Sequence, residues 1–442
     1  MAIYIVYAVL GLIALFGVLI VMPAFFPARR PLPTESDYAH RIPGYWEWYY
    51  STKYLNPIRR AAAGTDLEAH FRENRMPGAE EDLREVRTFT LRAVGDLMTR
   101  RDLMPPLSGG LWDEVGEYLF DADLVVGNLE FAVNENRVIE KLLRYSVTPS
   151  HARPLLGDER FGKFDVVSVA NNHINDSLHG GIVSTCDYLD QAGIVHVGAN
   201  RTAEERDQFP IIEVEGVKVA FLAYTFSTNS IPLDEGCEYG TNLVRFNALR
   251  ERDYDPSLIR RHAADARNRG ADLIVSLHHW GLEFEYYPPE RIVSRAHDLL
   301  EAGIDIILGH HPHILNPAEW YYTRDGRRTL CFYSLGSITS WALRHPLHRM
   351  AEIVSIQIEK GTMPDGGRVV RPRAVTITPT YFHLRHPQTP RADHRIIPIF
   401  DCAASIEKGT PPSYLSPSGM RTIPRLAREY RRYFEQQAFA YR

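Results

Sequence analysis

Apolar residues fall in short runs along most of this chain, and from Phe89 onward the runs recur with a regular rhythm. They are Phe89–Val94, Leu124–Val126, Val166–Val169, Val217–Tyr224, Leu273–Leu277, Ile304–Leu308 and Leu330–Tyr333, and several end in polar or glycine-containing clusters. Short, β-branched apolar runs bounded in this way predict buried strands. Between several of them lie Gly181–Gln191, Pro256–Arg269 and Pro289–Ala302, whose patterns predict helices. From about Ile353 to Phe382 the pattern is strand-like without helices, and Arg421–Gln437 predicts a terminal amphipathic helix. Strands alternating with helices predict a layered α/β domain.

The N-terminus differs. From Ala2 to Phe26 no residue is charged, a run of about 25 residues, beyond the roughly 20 that cross a bilayer core as a helix. The run lacks the basic start and short apolar core of a cleaved signal peptide, so an uncleaved single-pass membrane anchor is expected. The basic residues Arg29, Arg30, Arg41, Lys53, Arg59 and Arg60 all follow the span, a bias that places the main domain in the cytoplasm. The aromatic stretch Tyr45–Tyr50 suits either a lipid interface or packing on the domain. The expected organisation is an anchor at 1–28, a juxtamembrane linker at 29–88, a main domain at 89–400 and a helical tail at 401–442.

Composition narrows the function classes. Of 442 residues 45% are hydrophobic and 24% charged, enough for a real core. A net charge of −5 is too mild and of the wrong sign for a nucleic-acid binder, so no nucleic-acid partner is expected. Cys186, Cys237, Cys331 and Cys402 lie far apart, which supports neither a zinc ribbon nor a redox pair.

The chemistry clusters where strands end. The first strand is followed by Asp96, the second by Asn128 and Glu130, and the third by Asn171, Asn172 and His173. His278, His279 and Glu283 follow Leu277, and His310, His311 and His313 follow Leu308. Each alone has an ordinary explanation as a turn residue, cap or core histidine. Together they are harder to dismiss, because ligand sites in open α/β sheets lie beyond the carboxyl ends of the strands. Imidazole, carboxylate and amide oxygen together suit divalent Zn, Mn or Fe.

The segments G-D-L-M, V-G-N-L-E, S-V-A-N-N-H-I-N-D, A-G-I-V-H-V-G-A, L-H-H-W-G-L-E-F-E-Y, G-H-H-P-H and Y-S-L-G-S, in this order from about Phe89 to Ser337, resemble the CapA family of capsule and poly-γ-glutamate synthesis proteins. That resemblance implies a metallophosphoesterase-like α/β/β/α sandwich with metals at one sheet edge. It assigns Asp96, Asn128 or Glu130, Asn172, His279, His311 and His313 to divalent metal. His310 adjoins that set, and His278 competes with His279. It gives His173 the substrate-contacting role, and Glu283 is the second catalytic candidate. The chain departs from the pattern in lacking the Asp-x-His and Gly-Asp-x-x-Asp motifs of the wider group. It also carries Ser337 where the family usually has Asn. The resemblance implies biosynthesis, export or attachment of a capsule polymer by a metal-dependent hydrolase or transferase of phosphoester or amide bonds. The implied partners are the bilayer, an anionic polymer or phosphoester substrate, and capsule synthase subunits. The rival expectation is a non-catalytic membrane subunit that binds such a polymer, or a synthase partner, through the inherited pocket. A capsule role also favours the outer side of the membrane, against the charge bias.

Overall fold

The computed structural model describes residues 51–53, 57–76, 83–100, 103, 105–135, 145–340, 345–384 and 394–442. The expected anchor and the Tyr45–Tyr50 stretch lie outside the described residues, and no described helix is long and apolar enough to cross a membrane.

Two sheets form the frame. In chain order the strands are β1 (Arg84–Leu97), β2 (Leu124–Leu129), β3 (Val166–Ser168), β4 (Val195–Val197), β5 (Ile211–Val214), β6 (Val217–Thr225), β7 (Leu273–His279) and β8 (Ile306–His310). They continue with β9 (Leu315–Tyr322), β10 (Arg328–Leu335), β11 (Ser337–Thr339), β12 (Met350–Thr362), β13 (Arg368–His383), β14 (Arg395–Pro398) and β15 (Ala440–Tyr441). The first sheet runs β14-β13-β12-β1-β2-β3-β4, with β11 beside β1 and β15 beside β13. The second runs β9-β10-β8-β7-β6-β5. The neighbours β1-β2-β3-β4 and β6-β7-β8-β10 are parallel, so each sheet gathers several carboxyl ends at one rim.

The layering follows from the two-residue period of a strand, which sends alternate side chains to opposite faces. Phe89, Leu91 and Ala93 of β1, Leu273, Val275 and Leu277 of β7, and Ile306 and Leu308 of β8 meet in one core between the sheets. Their neighbours Ile274 and Ile307 face outward, onto helices α3 (Ser257–Asn268) and α4 (Glu290–Glu301) and the short helix α1 (Leu67–Glu73). Val94 and Leu97 face the opposite outer layer, with Ile182, Cys186 and Leu189 of α2 (Leu178–Gln191). Helices α5 (Ile399–Glu407) and α6 (Pro417–Tyr433) close a fourth cluster over Met350 and Tyr381. The order is helix, sheet, sheet, helix. Strands buried on both faces read as continuous apolar runs, which is why Leu273–Leu277 was visible in the sequence.

Candidate metal centre

The strands run further than their apolar runs. Asp96, Asn128, His279 and His310 are not in loops past the strands, as the sequence suggested, but are still hydrogen-bonded in register. Asp96 lies opposite Asn128, and His279 opposite His310. Alternation then decides where each side chain points. Asn128 follows Leu124 and Val126, His279 follows Val275 and Leu277, and His310 follows Ile306 and Leu308, so all three face between the sheets. His278 has the opposite parity and turns to the helical layer. There its Nε2 lies 2.7 Å from Ser276 Oγ and its ring stacks on Phe246. The choice between the two histidines therefore falls to His279.

Asp96 reaches the same face by a different device. The β1 ladder shifts register between Ala93 and Asp96, and again between Asp96 and Leu97. An irregularity of this kind re-aims the side chains that follow it. Gly95 permits it, because a Cβ there would lie 1.8 Å from the carbonyl oxygen of Gly336. Asp96 N donates to that same oxygen at 2.9 Å.

The result is a buried cluster at the rim. Asp96 Oδ2 lies 3.2 Å from His313 Nδ1, and Asp96 Oδ1 lies 3.3 Å from His310 Nδ1. Asn128 Nδ2 donates to Asp96 Oδ1 at 2.9 Å, and Asn172 Oδ1 lies 2.8 Å from His279 Nε2. Glu130 Oε1 sits 3.5 Å from His313 Nε2 and 3.6 Å from His279 Nε2. Two triads result, Asp96–Glu130–His313 and Glu130–His279–His311, each with its donor atoms within 4.8 Å of one another. They share Glu130.

Electrostatics make the cluster incomplete as it stands. Burial disfavours an ionised Asp96, but hydrogen bonds with His310 and His313 overcome that and hold its carboxyl well below the usual range. Burial, reinforced by the Asp96 charge, pushes Glu130 well above its usual range. Burial keeps His279 neutral and brings His311 down to about 4. Both carboxylate oxygens of Glu130, both ring nitrogens of His311 and the side-chain oxygen of Asn128 are buried without a hydrogen-bond partner. Leaving such atoms unmet costs about 1–3 kcal/mol each. Neutral imidazoles and a carboxylate stripped of partners are the donor set a divalent cation of the Zn, Mn or Fe kind requires, so the residues fit the metal. His311 and His313 also hold positive φ, 95° and 56°, strain of the sort that clusters at functional sites.

The remaining candidates surround this cluster. His173 is partly exposed, and its Nδ1 lies 2.7 Å from Asp176 Oδ2, a buried carboxylate that the sequence reading missed. The His-x-x-Asp spacing inside N-H-I-N-D was its only signal. Asn229, also missed, accepts from Asn172 Nδ2 at 3.0 Å and stands 3.5 Å from His173 Nδ1. Asn171 is a turn residue, donating to the Leu129 carbonyl and accepting from the His173 amide. Glu283 Oε1 lies 3.7 Å from His313 Nε2 at the more exposed side. Ser337 takes the place of the missing carboxamide, with Oγ 3.1 Å from His313 Nδ1.

Residues 90–340 match the family model described as "Bacterial capsule synthesis protein PGA_cap", more than half of the 442 residues. The chain belongs to this family. Among relatives, it is 28% identical over 265 residues to the capsule biosynthesis protein CapA of Bacillus anthracis, covering 58% of this chain and 60% of that one. It is 28% identical over 251 residues to the PGA biosynthesis protein CapA of Bacillus subtilis, covering 55% and 61%. The match thus spans about 60% of the length of these relatives. A crystal structure of a hypothetical protein from Thermus thermophilus aligns at 17% identity with a TM-score of 0.36, covering 66% of this chain and 98% of that one. The matched residues 90–340 contain every member of the two triads.

Proposed function

We propose that this chain is a membrane-anchored protein of capsule-polymer biosynthesis, export or attachment, and that its sandwich is a metallophosphoesterase-like, metal-dependent hydrolase or transferase of phosphoester or amide bonds. The capsule role rests on the family and on what its named relatives make. The chemistry rests on one observation, the buried Glu130 carboxyl that both histidine-containing triads share and whose two oxygens have no hydrogen-bond partner.

Asp96, Glu130 and His313 would hold one divalent cation, and Glu130, His279 and His311 a second, with Asn128 and Asn172 offering amide oxygens. Bound there, the cations would supply Lewis-acid polarisation of a phosphoryl or acyl oxygen and counter-charge for the carboxylates. His173 donates a proton to the leaving oxygen, and Asp176 fixes its ring through Nδ1, leaving Nε2 for the substrate. Glu283 lies at the more open side and positions the incoming group. Ser337 and Asp96 together fix the His313 ring through its Nδ1.

The deciding experiment counts metal in the full-length protein purified in detergent. Asp96→Ala and His313→Ala should each lose bound metal and most phosphodiesterase activity or polymer output. His173→Ala should keep the metal while activity falls roughly 100- to 10,000-fold. A metal-free parent after supplemented expression, with unchanged polymer output in all three variants, leaves only the non-catalytic subunit that binds an anionic polymer or a synthase partner. Protease treatment of intact cells decides the side of the membrane: digestion of the domain places it outside, against the charge bias.

A further inference from the structure

A second histidine–carboxylate cluster lies away from the rim. Glu319 sits on β9, the edge strand of the second sheet. Its side chain is 1% exposed and faces the helical layer, since its cross-strand partner Cys331 belongs to that core. Glu319 Oε2 lies 2.6 Å from Nε2 of His70 on α1, and Oε1 lies 2.8 Å from Nε2 of His297 on α4. Tyr333 on β10 donates its hydroxyl to Oε1. The three donor atoms lie within 4.8 Å of one another, and none of these residues belongs to the rim triads.

We propose that His70, His297 and Glu319 form a separate three-ligand site for a zinc-like divalent cation, one that fastens the segment preceding the sandwich to the edge of its second sheet.

The geometry of the cluster supports it. The ligands come from three elements, and both histidines aim the same ring nitrogen at one carboxylate. Two imidazoles and a carboxylate are a recognised zinc donor set, with the fourth position left to solvent. The side chains of His70 and His297 are 38% and 25% exposed, so solvent and a metal ion have a path in. The Tyr333 hydroxyl supplies the outer hydrogen bond that commonly orients a ligating carboxylate. Metal–donor distances of about 2.0–2.2 Å place tetrahedral donors roughly 3.3 Å apart. His70 and His297 now meet different oxygens of Glu319, at 2.6 and 2.8 Å, so a bound cation would part each pair by roughly half an ångström or more and gather both imidazoles at one carboxylate oxygen. The cation would displace the imidazole protons that now face the carboxylate.

The place of the cluster gives the cation its role. Asn74, just beyond α1, pairs its side-chain amide with both the N–H and the carbonyl of Trp320 on β9, at 2.9 and 3.0 Å. Gln436 from the C-terminal tail donates to Phe71 O at 3.1 Å and to Ala318 O at 2.9 Å. The site therefore sits where the incoming chain, the edge strand and the tail meet.

Zinc counted after equilibrium dialysis of the full-length protein tests this. His70→Ala, His297→Ala and Glu319→Gln should each bind one zinc fewer per chain than the parent and keep phosphodiesterase activity. Asp96→Ala should lose rim zinc and keep this one, and His70→Ala combined with Asp96→Ala should show both losses. His70 lies on a half-exposed surface of a short helix, so His70→Ala keeps the test readable if the buried Glu319→Gln fails to fold. An unchanged zinc count in His70→Ala and His297→Ala overturns the site. If Asp96→Ala loses nothing, the rim reading fails while this one is still decided by His70→Ala.

Discussion

The rim of the first sheet brings Asp96, Asn128 and Glu130, with Asn172 and His173 just behind, whereas the rim of the second brings His279, His310, His311 and His313, with Glu283 beside them. The first half is mainly carboxylates and amides and the second mainly imidazoles. Neither completes a triad, since each triad takes at least one carboxylate from the first half and at least one imidazole from the second. The difference teaches that the site is a property of the docked pair of sheets. A cation held there would join them, so metal binding and the stability of the sandwich should be linked.

The largest expected effect comes from Glu130→Gln, which removes the one carboxylate both triads use. Metal content should collapse, and activity should fall by more than the roughly 10- to 100-fold that outer-shell partners cost. Metal analysis beside phosphodiesterase kinetics checks it. Retention of parental metal would mean that the two halves do not meet at Glu130.

Next is the pH dependence of the chelated protein. Glu130 is held well above its unfolded value of about 4.3, so its contribution to stability is complete below that value and is lost as pH rises through its folded value. Asp96 is held well below about 3.9, so its contribution is present above that value and is lost as pH falls. The lowered His279 and His311 act the opposite way, their contributions growing as pH rises toward the unfolded histidine value of about 6.5 and complete above it. Above about pH 7 the melting temperature in chelator should therefore drop with rising pH as Glu130 ionises, and added Zn or Mn should raise it more at pH 8 than at pH 5.5. Calorimetry across that window measures both, and a metal increment that does not grow with pH would break the link.

The smallest effect sharpens the comparison within one strand. His278→Ala should cost roughly 1–3 kcal/mol, because Ser276 loses its buried partner, yet leave metal and activity intact. His279→Ala, one residue on, should lose metal. Denaturant melts and metal counts on the pair suffice, and a loss of metal in both would void the facing argument.

Much of this was legible in the sequence. The buried parallel strands announced themselves as apolar runs, and the clusters behind them marked the rim. Strand parity was also present and would have separated His279 from His278. Other features needed the fold. The β1 irregularity that turns Asp96 inward depends on the backbone of Gly336, far along the chain. Strand β9 (L-N-P-A-E-W-Y-Y) carries Pro317 and polar residues that its edge position tolerates, so its composition hid it. Helix α1 is short and lies in a Pro- and Arg-rich stretch, and its burial of Leu67 and Phe71 comes from partners that local patterning does not reveal.

The contact between His313 and Asp96 spans 217 positions of the chain. Closing so long a loop is among the slower events of folding, because its entropy is lost before the contact returns anything. A nascent chain halted before His313 would carry Asp96 and Glu130 without one of the imidazoles that face them. A cation held there would therefore be captured late in the life of the polypeptide, after synthesis has passed the second sheet, and the compartment in which the sandwich finishes folding would select which metal it meets.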